Sequence, residues 1–124
     1  GETTDLALKW LAEVKRPYFL WLHYFDPHDP RLRPPIEFLR RFPPPAGDVR
    51  EQLRALYDIE IEYMDEQIGR VFEALRENGQ FENTVIVVVA DHGEGLGEHG
   101  EQTHSLLVYD ATLHVPEIFN APAR

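Results

Sequence analysis

Two short polar sequences in this chain carry residue types that do chemistry. Asp26-Pro27-His28-Asp29-Pro30 follows the apolar run Tyr18–Phe25, and Asp91-His92-Gly93-Glu94 follows the apolar run Val85–Ala90. Asp91 and His92 offer a hard carboxylate oxygen and an imidazole nitrogen from adjacent positions, a pairing that suits a divalent cation. The same pair would equally serve as a turn at Asp91 beside a solvated His92. Gly93, Gly95, Gly97 and Gly100 surround it at a density that permits close backbone approach or positive φ where a ligand sits. His28, held between prolines, is placed either to donate to an anionic oxygen and protonate a leaving group near neutral pH, or to pack as a loop histidine on proline. Asp26 reads as a chain-turning residue. His99 and His104 share the next loop with Glu94, Glu98 and Glu101; either could turn back to a metal or a substrate oxygen, or simply keep the loop soluble. His23 reads as a core histidine or one that braces a site residue, His114 as a surface one, and Glu60, Glu62, Asp65 and Glu66 as a solvated helix face.

The elements that must position these residues follow from apolar spacing. Leu6, Trp10, Leu11 and Val14 recur at helical spacing after Thr3-Thr4-Asp5, predicting a capped helix over about 4–14 that Pro17 ends. The aromatic run 18–25 predicts a central parallel strand buried on both faces. Most of the prolines fall within 26–47, including Pro34-Pro35 and Pro43-Pro44-Pro45, which predicts a long loop. Leu53, Tyr57, Ile61, Met64, Ile68, Val71 and Leu75 predict one helix from about Val49 to Asn78, ~45 Å long at 1.5 Å per residue, with Gly79 beyond its end. The β-branched run 85–90 predicts a second buried strand. An amphipathic stretch over 105–112 and a third strand near 115–119 follow the glycine-rich loop. Strand, long helix, strand is a βαβ crossover, so the fold is α/β with parallel main strands, and both polar clusters emerge at the carboxyl edge where open α/β sheets bind ligands.

The sequence has 124 residues, with 22 acidic against 12 basic side chains, a net charge of −10 and no cysteine. The length suits a single domain, 1–124. The absence of cysteine excludes disulfides, thiolate zinc sites and thiol nucleophiles within it. The acidic balance argues against nucleic acid as a partner. No signal-peptide pattern is visible, and no apolar run approaches the ~20 residues of a membrane span, so the compartment is left open.

Four ordered blocks, residues 19–30, Tyr63-Met64-Asp65-Glu66-Gln67-Ile68-Gly69, residues 83–100 and Leu113-His114-Val115-Pro116, resemble the sulfatase family of the alkaline phosphatase superfamily. The resemblance implies a partial α/β/α sandwich on a parallel sheet, and a metal-dependent hydrolase of sulfate esters or, in relatives, of phosphate or phosphonate esters. It implies that Asp91 and His92 are metal ligands and that His28 and His104 contact the anion and leaving group. It implies a divalent metal, calcium foremost, with magnesium, manganese and zinc as alternatives, and an anionic sulfate or phosphate ester as partner. The family's nucleophile motif, Cys/Ser-x-Pro-x-Arg, and its first pair of acidic ligands are absent from this sequence. The chain is thus expected to be the C-terminal portion of such a catalytic domain, inactive or nearly so alone and open to self-association through exposed apolar surface. The alternatives are a phosphatase-like or phosphoglycerol/phosphoethanolamine-transferase relative, and a non-catalytic binding or oligomerisation module.

Overall fold

A computed structural model describes residues 1–28, 33–101, 103–104 and 106–122. In chain order these form helix α1 (Glu2–Glu13), helix α2 (Ile36–Arg41), the long helix α3 (Val49–Glu77), strand β1 (Ile86–Val89), the short helix α4 (Asp110–Leu113) and strand β2 (Glu117–Asn120). Single 3₁₀ turns lie at 26–28, 81–83 and 98–100. Asp29 and Pro30, which were to brace His28, and Ser105, at the head of the expected amphipathic stretch, lie outside the described residues.

The long helix is the sequence pattern made real. The Asp48 side chain accepts a hydrogen bond from the Glu51 N–H at 2.9 Å, satisfying one of the donors that a helix start leaves unpaired. At the other end Gly79 adopts φ 62°, and the Gly79 and Gln80 N–H groups return to the carbonyls of Arg76 (2.9 Å) and Leu75 (2.7 Å). That is a Schellman ending, and the left-handed conformation it needs costs a glycine least. The buried face differs from the expected one. Ile59, Glu60, Gln67, Val71 and Leu75 are buried, whereas Ile61 is exposed and Glu60 is not on a solvated face at all.

On α1 the inward face is Thr4, Ala7 and Leu11, and Leu6 and Trp10 are largely exposed. Thr3-Thr4-Asp5 does not cap the helix: Gly1 takes the cap position, and Thr4 turns inward to hydrogen-bond Tyr24 Oη at 3.1 Å. Polar contacts with α3 set this rotation. Arg70 bonds Asp5 at 2.7 Å, and the Gly1 amino group bonds Gln67 Oε1.

The run 18–25 alternates between partly buried and exposed residues as an extended segment does, yet it joins no ladder among the described residues. Tyr18, Leu20 and Leu22 pack on the core of Leu11, Val71 and Leu75, together with Phe81 and Ile86. Their neighbours Phe19 and Trp21 are 88% and 80% exposed. The expected strand buried on both faces is therefore covered on one face only. β1 repeats the pattern, with Val87 and Val89 exposed. The observed strand pair is β1 with β2, and it is antiparallel, in the register Ile86↔Asn120 to Val89↔Glu117. The run 18–25 is not a strand of this sheet, so the parallel arrangement expected of 18–25 and 85–90 is not seen as a ladder among the described residues. The proline-rich region is also less irregular than expected. Proline at a helix start forfeits no needed N–H, so Pro35 precedes α2, which buries Phe38 against α3.

No described helix is long and apolar enough to cross a membrane. Leu75→Ala should destabilise the chain by about 2–5 kcal/mol, as expected for a truncated core leucine, and Phe19→Ala by less than about 0.5 kcal/mol, as expected at an exposed position. Urea unfolding midpoints of the two variants measure the contrast.

Candidate functional site

The two runs that lean on the common core deliver their polar ends to one place. After the first, the turn at 26–28 closes with the His28 N–H on the Phe25 carbonyl (3.3 Å), and the His28 ring stacks on Phe25 with centroids 4.3 Å apart. Phe25 is thus the platform that orients His28. After β1, the chain must pass close beneath α4. The Gly93 N–H bonds the Thr112 carbonyl at 2.9 Å, and a Cβ at Gly93 would stand 2.1 Å from the Ala111 oxygen, so this position admits no side chain.

His28, His92 and His104 meet there. The His92 and His104 rings stack at 3.9 Å, and His28 stands edge-on to them at 5.6 and 4.8 Å. One ring nitrogen from each lies within 4.8 Å of the other two. His92 Nδ1 faces the Gly93 carbonyl at 2.8 Å, and a carbonyl only accepts, so Nδ1 carries the proton and Nε2 the lone pair. His104 Nδ1 lies within hydrogen-bond distance of Glu94 Oε2, at 3.0 Å.

Glu94 is the residue the sequence reading passed over. Its side chain is only 3% exposed, and among the described residues its Oε1 has no hydrogen-bond partner. Its charge, after burial, helps to push the Tyr57 phenol upward, which sets Glu94 near α3. A signal was present in the sequence, because Gly93 and Gly95 flank it and a Cβ at Gly95 would press on the Thr103 oxygen at 2.8 Å. Glycines on both sides let a charged residue sink into packed backbone.

Asp91 sits beside the cluster with its side chain 82% exposed, its Oδ2 3.8 Å from His92 Nε2. Slight burial acts to raise its carboxyl, but hydrogen bonds from the Asp91 and His92 N–H groups and the charges of His92 and His23 hold it below the ordinary carboxylate value. Asp91 and His92 together present one oxygen and one nitrogen donor, a fitting part of a dication site and less than the six to eight oxygens calcium takes. The other histidines stand apart. His99 stacks on Tyr109 at 3.9 Å, and the exposed His23 lies between Trp21 and Phe25, so it is not the core histidine expected. His23, Asp26 and Glu60 line a separate cavity of about 240 Å³ that none of the three clustered imidazoles enters.

Comparison with known proteins gives this geometry a family. The sulfatase family model matches residues 1–123. The chain belongs to the sulfatase family. Human iduronate 2-sulfatase is 28% identical across 99% of the chain, which spans 30% of that relative's length. The solved phosphonate monoester hydrolase of Agrobacterium radiobacter superposes with a TM-score of 0.83 at 23% identity, covering 96% of this chain and 32% of that one. The phosphonate monoester hydrolase of Silicibacter pomeroyi superposes at 0.57 with 34% identity, covering 90% and 24%. The mixed α/β architecture is thus that of the alkaline phosphatase superfamily, as the four sequence blocks implied, and sulfatases generally use a divalent metal.

The loop carrying this site is tied to α3 by charge. Glu98 meets Arg54 and, at 3.1 Å, Arg50, while its Oε2 accepts the Leu96 N–H at 2.7 Å. Led by the Arg54 hydrogen bond, these contacts push the Glu98 carboxyl down to about 2, against a usual 4.5. A carboxyl lowered in the folded state contributes stability above its unfolded value and loses it as pH falls through the folded one. Glu98→Gln should therefore reduce stability fully above about pH 5, with the difference from the parent vanishing near pH 2. Unfolding free energies measured across that range for both proteins check it.

Proposed function

We propose that this chain supplies one part of the active site of a metal-dependent hydrolase that cleaves sulfate esters. The convergence of His28, His92 and His104, each ring nitrogen within 4.8 Å of the others and beside the exposed carboxylate of Asp91, carries the reading. A sulfate ester is an anion, and its cleavage places further negative charge on the transferred group and the departing oxygen. Imidazole N–H groups stabilise such charge, and an imidazole titrating near neutrality can hand a proton to the leaving oxygen. His28, stacked on Phe25, and His104, held by Glu94, are assigned these contacts. Asp91 and His92 are assigned to the metal, with calcium first among calcium, magnesium, manganese and zinc. When bound, the dication supplies charge stabilisation at the transferred group and offsets an acidic chain that would otherwise repel an anion.

The chain spans 30% of the length of human iduronate 2-sulfatase, and no Cys/Ser-x-Pro-x-Arg nucleophile motif occurs in it. On this reading the nucleophile and the remaining metal ligands come from further residues, and the isolated chain turns over little or no ester. A second reading, hydrolysis of phosphonate or phosphate monoesters, is favoured by the superposition on two phosphonate monoester hydrolases.

In the full-length protein, His28→Ala and His104→Ala should each lower turnover of an aryl sulfate by at least about tenfold, toward the range of roughly 10²–10⁴ given by general acid catalysis. A chelator should abolish turnover and a dication restore it. Unchanged kinetics in both variants would remove the assigned roles. Faster cleavage of an aryl phosphonate than of the matching sulfate would select the second reading.

A further inference from the structure

We propose that Glu94 is a positioning residue: it sets the direction of the His104 imidazole from the buried side and itself meets neither substrate nor metal. The inference rests on the reading that this chain contributes to an ester hydrolase, and adds to it a residue that acts only through another.

Burial separates the two roles. The His104 side chain is 20% exposed and that of Glu94 3%, with Glu94 Oε2 3.0 Å from His104 Nδ1. The ring therefore stands between the carboxylate and solvent. Thr103 Oγ1 lies 3.3 Å from the same nitrogen. With Nδ1 occupied from the protein side, Nε2 is the ring nitrogen left for an oxygen of the ester. An imidazole on a loop is free to turn about its side-chain bonds, and a carboxylate on its far nitrogen removes that freedom. A buried acid serves a working histidine in this way without touching what the histidine acts on.

The backbone repeats the same registration. Gly95, next to Glu94, packs on Thr103, next to His104: a Cβ at Gly95 would stand 2.8 Å from the Thr103 oxygen. On the other side, a Cβ at Gly93 would stand 2.1 Å from the Ala111 oxygen. Residues 93–95 are thus wedged between α4 and the residue that precedes His104, and the side chains of 94 and 104 meet beside the contact of backbones 95 and 103. His92 completes the hold, its ring stacked on that of His104 at 3.9 Å with 27° between the planes.

The second carboxylate oxygen separates function from folding. Among the described residues Glu94 Oε1 is buried without a hydrogen-bond partner. A withdrawn carboxylate left half-paired costs folding free energy, and an apolar side chain of similar size would fill the space without that cost. Holding His104 Nδ1 is what the carboxylate does and an apolar side chain does not.

Kinetics of the full-length protein on an aryl sulfate provide the test. Glu94→Gln, which keeps the shape of the side chain, and Glu94→Leu should each lower kcat by roughly 10–100-fold, as for an orienting partner. KM should stay within about twofold, as for loss of a contact made in the transition state. In the His104→Ala background the same substitutions should cost less than about twofold, since no ring is left to direct. Urea unfolding midpoints check that each variant is folded, and the near-isosteric Gln keeps the comparison in hand where Leu is not tolerated. Parent-like kcat in Glu94→Gln, a rise in KM with kcat unchanged, or the same loss with and without His104 overturns the proposal. A parent-like His104→Ala removes the hydrolase role of His104 along with it, whereas a slow His104→Ala beside a parent-like Glu94→Gln removes the positioning role alone.

Discussion

The apolar cluster of Leu11, Val71 and Leu75 is the constraint on which the rest of the molecule depends. It joins α1 to the C-terminal half of α3, and both the run 18–25 and β1 rest on it, through Tyr18, Leu20, Leu22 and Ile86. Because two chain segments far apart in sequence share this support, the turns at their ends are held near each other. His28 and His92 meet as a consequence of packing some residues away from either. The polar accessories serve the same end. Tyr18 bonds Gln80 at 2.6 Å across the base of the cluster, and Glu98 clamps the glycine-rich loop to α3.

Charge then organises what the core brings together. Glu94 is a carboxylate withdrawn from water, with an imidazole on one oxygen. Its position makes sense beside positive charge, and the chain's net charge of −10 offers little of that nearby. Arg50 and Arg54 of α3 are engaged by Glu98. His104 is the group that meets Glu94, and the readiness of the clustered imidazoles to hold a cation or an anionic oxygen is what gives the site its chemical character. Membership of the sulfatase family and this arrangement both support the proposed handling of anionic esters.

Local pattern carried the elements whose cause is local. The length of α3, its Asp48 cap and its Gly79 ending follow from residues within a turn of where they act, and each is readable in sequence. The face each helix buries was less readable, since Thr4 and Gln67 turn inward only because Tyr24 and the Gly1 amino group meet them. The run 18–25 shows the limit most plainly. Its composition is that of a strand covered on both sides, but a ladder needs a hydrogen-bonding neighbour, and the described residues give it none. Composition records what a segment can bury, and pairing depends on what lies beside it.

By itself, then, the sequence determined the α/β character, the two polar clusters and their placement after apolar runs, and it pointed to the four residues proposed to carry the chemistry: His28, Asp91, His92 and His104. Only the tertiary structure decided that three of these are imidazoles facing one another, that Asp91 stays largely in solvent, and that Glu94 lies buried behind His104. The physical reason is the range of the forces involved. Capping, turn formation and periodic burial act over a few residues, whereas the ionisation, tautomer and coordination of a side chain are set by groups that folding alone brings within a few ångströms.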